Sequence, residues 1–191
     1  MPVEAAYTAD TEIPEGGWSP FETPDEEERS VFKMAFQKWV GVRYDPLLVT
    51  RQLVSGKMNF IFLTNANLVH PNSVPYSALV RILSNGTDAK VVKIVPHGSP
   101  SPHFSGGYTA FKAISDEEHT LLADLLKGFS GSGFNVKYVS TQVVAGINYK
   151  FAGTQNMITK NAPKYPVLLT VYKPLFDYPV ITGVEKVFNL V

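Results

Sequence analysis

Gln142-Val143-Val144-Ala145-Gly146 decides how this chain is read, because the same pattern stands 90 residues earlier as Gln52-Leu53-Val54-Ser55-Gly56. The offset of 90 also holds upstream. Gly16-Gly17 answers to Gly106-Gly107, Trp18 to Tyr108, Phe21 to Phe111, and Glu27-Glu28 to Glu117-Glu118. One residue is lost after the pentapeptide, and the match resumes at 89, with Asn59-Phe60 against Asn148-Tyr149 and Val91-Val92 against Val180-Ile181. A period this long, kept across separate segments, indicates duplication of a whole domain rather than a short solenoid repeat. The expected organisation is a tail at 1–12, a first domain at 13–95, a linker at 96–105 and a second domain at 106–191.

Each copy reads as a helix followed by strands. Thr23-Pro24-Asp25-Glu26 has capping-box spacing with proline at the first helical position, and Ser115-Asp116-Glu117-Glu118 repeats the box. Phe32, Ala35, Phe36 and Trp39 make an apolar stripe at helical spacing, expected in the core, and Leu121, Leu122, Leu125 and Leu126 repeat it. Strand signals follow at 47–54, 57–65, 76–83 and 90–95, and again at 136–144, 147–154, 165–172 and 179–188. Each pentapeptide therefore lies at a hairpin tip, where its glycine supplies a turn conformation that β-branched residues avoid.

Composition narrows the function. Seventeen basic residues balance seventeen acidic ones, so no net field draws nucleic acid or anionic lipid. No apolar run approaches the roughly 18–20 residues of a membrane span. The chain has no cysteine, which excludes disulfides, zinc-thiolate sites and a cysteine nucleophile. Its four histidines show no metal-ligand spacing. The reading is a non-enzyme with no cofactor, no metal and no catalytic residue. Its compartment is left open.

With these pieces in order, the chain resembles the cystatin family of cysteine-protease inhibitors, in its disulfide-free stefin form. The glycine pairs before each helix, the two Q-x-V-x-G hairpins and the last pair of strands carry the likeness. The segment Thr141 to Tyr149 (TQVVAGINY) is nearest to the family pattern. The resemblance implies an α+β fold of two cystatin-like domains, each one helix packed on a wrapped antiparallel sheet of about four strands. It also implies reversible, competitive inhibition of papain-like cysteine proteases, whose cleft is plugged by a glycine segment and two hairpin loops.

The implied contacts are Gly106, Gly107, Gln142, Val143, Val144, Ala145 and Gly146 in the second copy. Gly16, Gly17, Gln52, Leu53, Val54, Ser55 and Gly56 are their counterparts in the first. Leu175 and Phe176 stand in the second hairpin loop where the family often has Pro-Trp. The first copy's loop, Ser84 to Ala89, is polar and built on Asn85-Gly86, so the second copy is the expected principal inhibitor. The alternative is a non-inhibitory protein-binding or structural module. The expected state is a monomer, with a domain-swapped dimer as the other arrangement open to a long hairpin-bearing strand.

Overall fold

A computed structural model describes residues 16–98, 106–159 and 161–191. The expected tail and the linker residues 99–105 lie outside that set. The elements run α1 (Glu26–Phe36), β1 (Val42–Val54), β2 (Lys57–Leu68), β3 (Tyr76–Ser84), β4 (Ala89–His97), β5 (Lys112–Ala113), α2 (Asp116–Leu126), β6 (Ser132–Val144), β7 (Gly146–Met157), β8 (Lys164–Lys173) and β9 (Val180–Lys186). A 3-10 turn, Val187–Asn189, follows. The strands form two antiparallel sheets in the orders β1-β2-β3-β4 and β5-β6-β7-β8-β9.

The expected α+β class, two cystatin-like domains each closed by a helix on its own sheet, is corrected by this architecture. Among the described residues, nine strands against two short α-helices make a sheet-dominated fold. A central core joins Phe21, Leu48, Ile61, Leu63 and Leu79 of the first copy to Phe111, Ala152, Leu168 and Val187 of the second, and no residue of α1 or α2 is among them. The strands explain why. A sheet with one wet face alternates apolar and polar residues, but Phe60-Ile61-Phe62-Leu63 is apolar and buried at every position. Ile61 and Leu63 point into the central core, while Phe60 and Phe62 join Val31 and Phe32 of α1 on the other face. Each sheet is covered on both sides, and one of those covers is the other sheet.

The helices are minor partners. In α1 the buried residues are Glu28, Val31 and Phe32, and in α2 only Leu122 is buried. Asp25, not the expected Thr23, caps α1, and its capping box closes through Glu28. The Ser115–Glu118 box of α2 is as expected. Glu28 also anchors its helix, because Arg51 Nη1 reaches its carboxylate at 2.7 Å. Burial raises the pKa of Glu28, while the Asp25 N–H and Arg51 pull it back. Trp39 is corrected from core to surface. The helix ends at Phe36, and Trp39 lies beyond it, 48% exposed and edge-on to the Phe36 ring.

Duplication shows in the irregularities of the sheets. Register shifts fall between Pro46 and Leu48 in β1 and between Val136 and Tyr138 in β6, again 90 apart. The deletion that changes the offset to 89 sits at the hairpin tips. Val54 pairs with Lys57 across two residues, whereas Val144 pairs with Gly146 across Ala145 alone. Both first strands start earlier than expected, at Val42 and Ser132, and Pro96 and His97 close β4 instead of opening a linker.

Contacts between the copies repeat under exchange of the two. The Phe21 N–H donates to Thr154 Oγ1 at 3.0 Å, and the Phe111 N–H to Ser77 Oγ at 2.8 Å. Asn65 Nδ2 donates to the Phe111 carbonyl at 2.8 Å, and within the first copy Ser77 Oγ donates to Asn65 Oδ1 at 2.6 Å, which orients that amide. Trp18 stacks on Phe188 with centroids 5.9 Å apart, and its counterpart Tyr108 meets His97 at 4.5 Å. The interface is pseudo-symmetric, and these buried polar groups are paired across it.

His97 makes this interface sensitive to pH. Ser140 Oγ gives its proton to the Thr109 carbonyl at 2.6 Å, so His97 Nε2 is the donor toward Ser140 at 3.3 Å. Burial, with the nearby charge of Lys150, lowers the His97 pKa to about 4. The unfolded chain therefore binds one more proton between that value and the ordinary imidazole pKa of about 6.5. Stability from this group is complete above about pH 6.5 and is lost as pH falls toward 4. Urea unfolding of the native chain and of His97→Phe should diverge over that window, by on the order of 1–3 kcal/mol. A constant difference between them across pH 4–7 would contradict a neutral, buried His97.

Candidate functional site

Three segments meet at one end of the second sheet. Gln142, late in β6, donates through Nε2 to the Gly106 carbonyl at 2.6 Å. Asn148 of β7 donates to Gln142 Oε1 at 2.9 Å, which fixes the orientation of the amide. The Thr109 N–H donates to the Thr141 carbonyl, and the Thr141 N–H returns to Thr109 Oγ1 at 3.0 Å. The glycine segment is thus held against the strand that leads into the β6–β7 tip. The motif's glutamine is its clasp.

The β8–β9 loop completes the edge. The Tyr172 hydroxyl donates to the Ala145 carbonyl and ties that loop to the hairpin tip. Gly146 is required for two reasons. Its φ is +126°, and a Cβ there would lie 2.4 Å from the Lys173 carbonyl oxygen and 3.1 Å from Pro174 Cα. Only a residue without a side chain lets the β8 backbone pass so near the tip. The outward surface carries no charge from Gln142 to Gly146 and is apolar from Val143 on. Val143 is 71% exposed, Leu175 is 69% exposed and Phe176 is 99% exposed. Val144 is exposed as well, as is Tyr178. Single exposed apolar side chains are ordinary, but here they are gathered on adjoining hairpin loops, and a grouped apolar surface is what marks a contact.

The first copy repeats the clasp but not the whole edge. Gln52 Nε2 donates to the Gly16 carbonyl at 2.6 Å, across the same separation of 36 residues as Gln142 and Gly106. The Gly16 N–H donates to the Leu53 carbonyl at 3.2 Å. Ser55 and Gly56 both have positive φ, 50° and 72°, as a two-residue primed turn requires. A Cβ on Gly56 would meet nothing within 4 Å, so conformation alone selects that glycine. Leu53 and Val54 are exposed at the tip. The neighbouring β3–β4 turn is closed and polar, with Asn85 Oδ1 accepting from the N–H groups of Thr87 and Asp88.

In the second copy the structure joins Gly106 to Gln142 and sets Gly146 against the start of the β8–β9 loop, which carries the exposed Leu175 and Phe176; among the described residues no hydrogen bond fixes Gly107. In the first copy it joins Gly16 to Gln52 and Leu53, and among the described residues no hydrogen bond fixes Gly17. Sequence reading missed Tyr172 and Asn148, which hold the tip and the clasp. Neither carries a sequence signal of its own: Asn148 meets Gln142 through the β6–β7 register, and Tyr172 pairs with Asn148 one strand further out.

A groove of about 1020 Å³ opens beside the same end, between α2 and the β8–β9 loop, and Leu121, Leu125, Tyr149 and Pro179 are among its walls. Glu118 lies along it. Burial raises its pKa, but Lys112 and the Ser115 donors outweigh that and leave it lowered. Among the described residues no group of three or more acidic or histidine side chains could hold a metal ion. Nor, among the described residues, is any helix long and apolar enough to cross a membrane. No protein-family model matches the chain, and no curated protein matches it.

The two motif glycines should respond differently to alanine. Gly56→Ala should cost about 1–2 kcal/mol, the ordinary penalty for positive φ. Gly146→Ala adds a backbone collision and should cost at least about 3 kcal/mol or displace the β8–β9 loop. Equal losses in chemical denaturation, with unchanged loop spectra, would show that the close approach is not there.

Proposed function

We propose that this chain inhibits papain-like cysteine proteases reversibly and competitively, with the second copy's edge as its principal contact. The observation that carries the reading is the glutamine clasp, Gln142 to Gly106, repeated as Gln52 to Gly16. It gives the Q-x-V-x-G motif and the upstream glycines one shared purpose, to align a glycine segment with a hairpin tip. A papain-like cleft is a narrow slot, and a ridge of Val143, Val144, Leu175 and Phe176 suits it in kind. The ridge buries apolar area while leaving no charge unpaired against the cleft wall. Preformed hairpins lose little entropy on binding. No group on the ridge bonds covalently to the enzyme, so inhibition is reversible.

The alternative is a module that binds or organises protein without inhibiting it. The polar, internally bonded Asn85 turn favours that role for the first copy more than for the second.

Val144→Asp is the test. The side chain is exposed, so the variant should fold as the parent does. In the complex it would place an unpaired charge in a desolvated contact and raise the inhibition constant for papain roughly 30-fold or more, the effect of losing about 2 kcal/mol. A folded variant with an unchanged constant would remove this hairpin from the contact. Absence of inhibition by the parent chain, across papain and related enzymes, would leave the binding-module reading.

A further inference from the structure

We infer that the chain carries its two binding edges at opposite ends and engages two protease molecules at once. This inference rests on the inhibitory reading above and adds the geometry of the two copies. His97 closes β4 and lies level with Ser77 and Asn65, toward the end of the first sheet remote from the Ser55-Gly56 tip. It nevertheless touches Tyr108 and Ser140, which lie near the Ala145 tip of the second sheet. The reverse contact agrees. Trp18 adjoins Ser19, whose N–H donates to the Arg51 carbonyl near the first tip. Its ring stacks on Phe188, beyond the end of β9 remote from the second tip. The tip half of each sheet therefore lies against the far half of the other.

This head-to-tail packing points the Gln52–Gly56 and Gln142–Gly146 hairpins away from each other. The first edge remains open, with Leu53 44% exposed and its glutamine clasp intact. A protease seated on one edge approaches from the opposite end to a protease seated on the other. The first edge should be the weaker, because its second loop offers a polar turn where the second copy offers Leu175 and Phe176.

The experiment uses the whole chain and papain whose catalytic thiol is blocked as a small mixed disulfide, so that nothing is cut. Light scattering on the eluted complex at saturating papain should give the mass of one chain with two papain molecules. Val54→Asp and Val144→Asp should each reduce this to one papain per chain. A parent complex of one papain per chain would overturn the inference. Given such a one-to-one parent, variants that each still bound one would make the edges mutually exclusive, and a single variant that abolished binding would leave the chain one working edge. Either result leaves the inhibitory reading standing. No complex at any concentration would remove that reading and this inference together.

Discussion

The contact of one sheet's inner face with the other's is the interaction on which the rest of the molecule depends. Each α-helix has 11 residues and buries few of them, so neither could close a core alone. Packing Ile61, Leu63 and Leu79 against Ala152, Leu168 and Val187 gives both sheets a second dry face. Phe21 and Phe111 enter this core from the segments that precede the helices. Their backbone groups are satisfied by Thr154 on one side and by Ser77 and Asn65 on the other. Apolar burial supplies the drive, and the paired polar groups set the register in which it happens.

That register has a consequence for the edges. The segments that plug the core, 16–22 and 106–113, also run back to the hairpin tips, where Gln52 and Gln142 hold their glycines. One stretch of chain in each copy thus connects the interface to the candidate contact surface. The copies have since diverged at the edge more than in the core. The first keeps a polar asparagine turn, whereas the second projects Leu175 and Phe176 and ties their loop to Ala145 through Tyr172.

Much of the chain's organisation was legible because it occurs twice. The loss of one residue after the pentapeptide locates a real difference, the two-residue tip at Ser55-Gly56 against the single Ala145. The Ser115–Glu118 box was legible too, because a cap depends on residues three apart. Thr23 misled as a cap because Asp25, two residues on, offers a carboxylate with a glutamate at the right spacing. Trp39 continued the helical stripe on paper, but a stripe does not report where the helix stops. The sheet-on-sheet core was hidden for a different reason. A run such as Phe60 to Leu63 records that both faces are dry and carries no mark of whether a helix or a sheet covers them. Nor could Asn148 and Tyr172 be read as supports, since their partners Gln142 and Ala145 are joined to them only by the hairpin's register.

The most direct test of this account is the distance between the two hairpin tips. The chain has no cysteine, so Ser55→Cys and Ala145→Cys together introduce the only two sites for spin labels. Pulsed electron paramagnetic resonance on the doubly labelled chain should give a single separation on the order of 35–50 Å, the span of two head-to-tail sheets with strands of this length. A distance below about 25 Å would place the tips side by side, and a broad distribution would mean that the copies do not pack at all; either would contradict the sheet-on-sheet core as described.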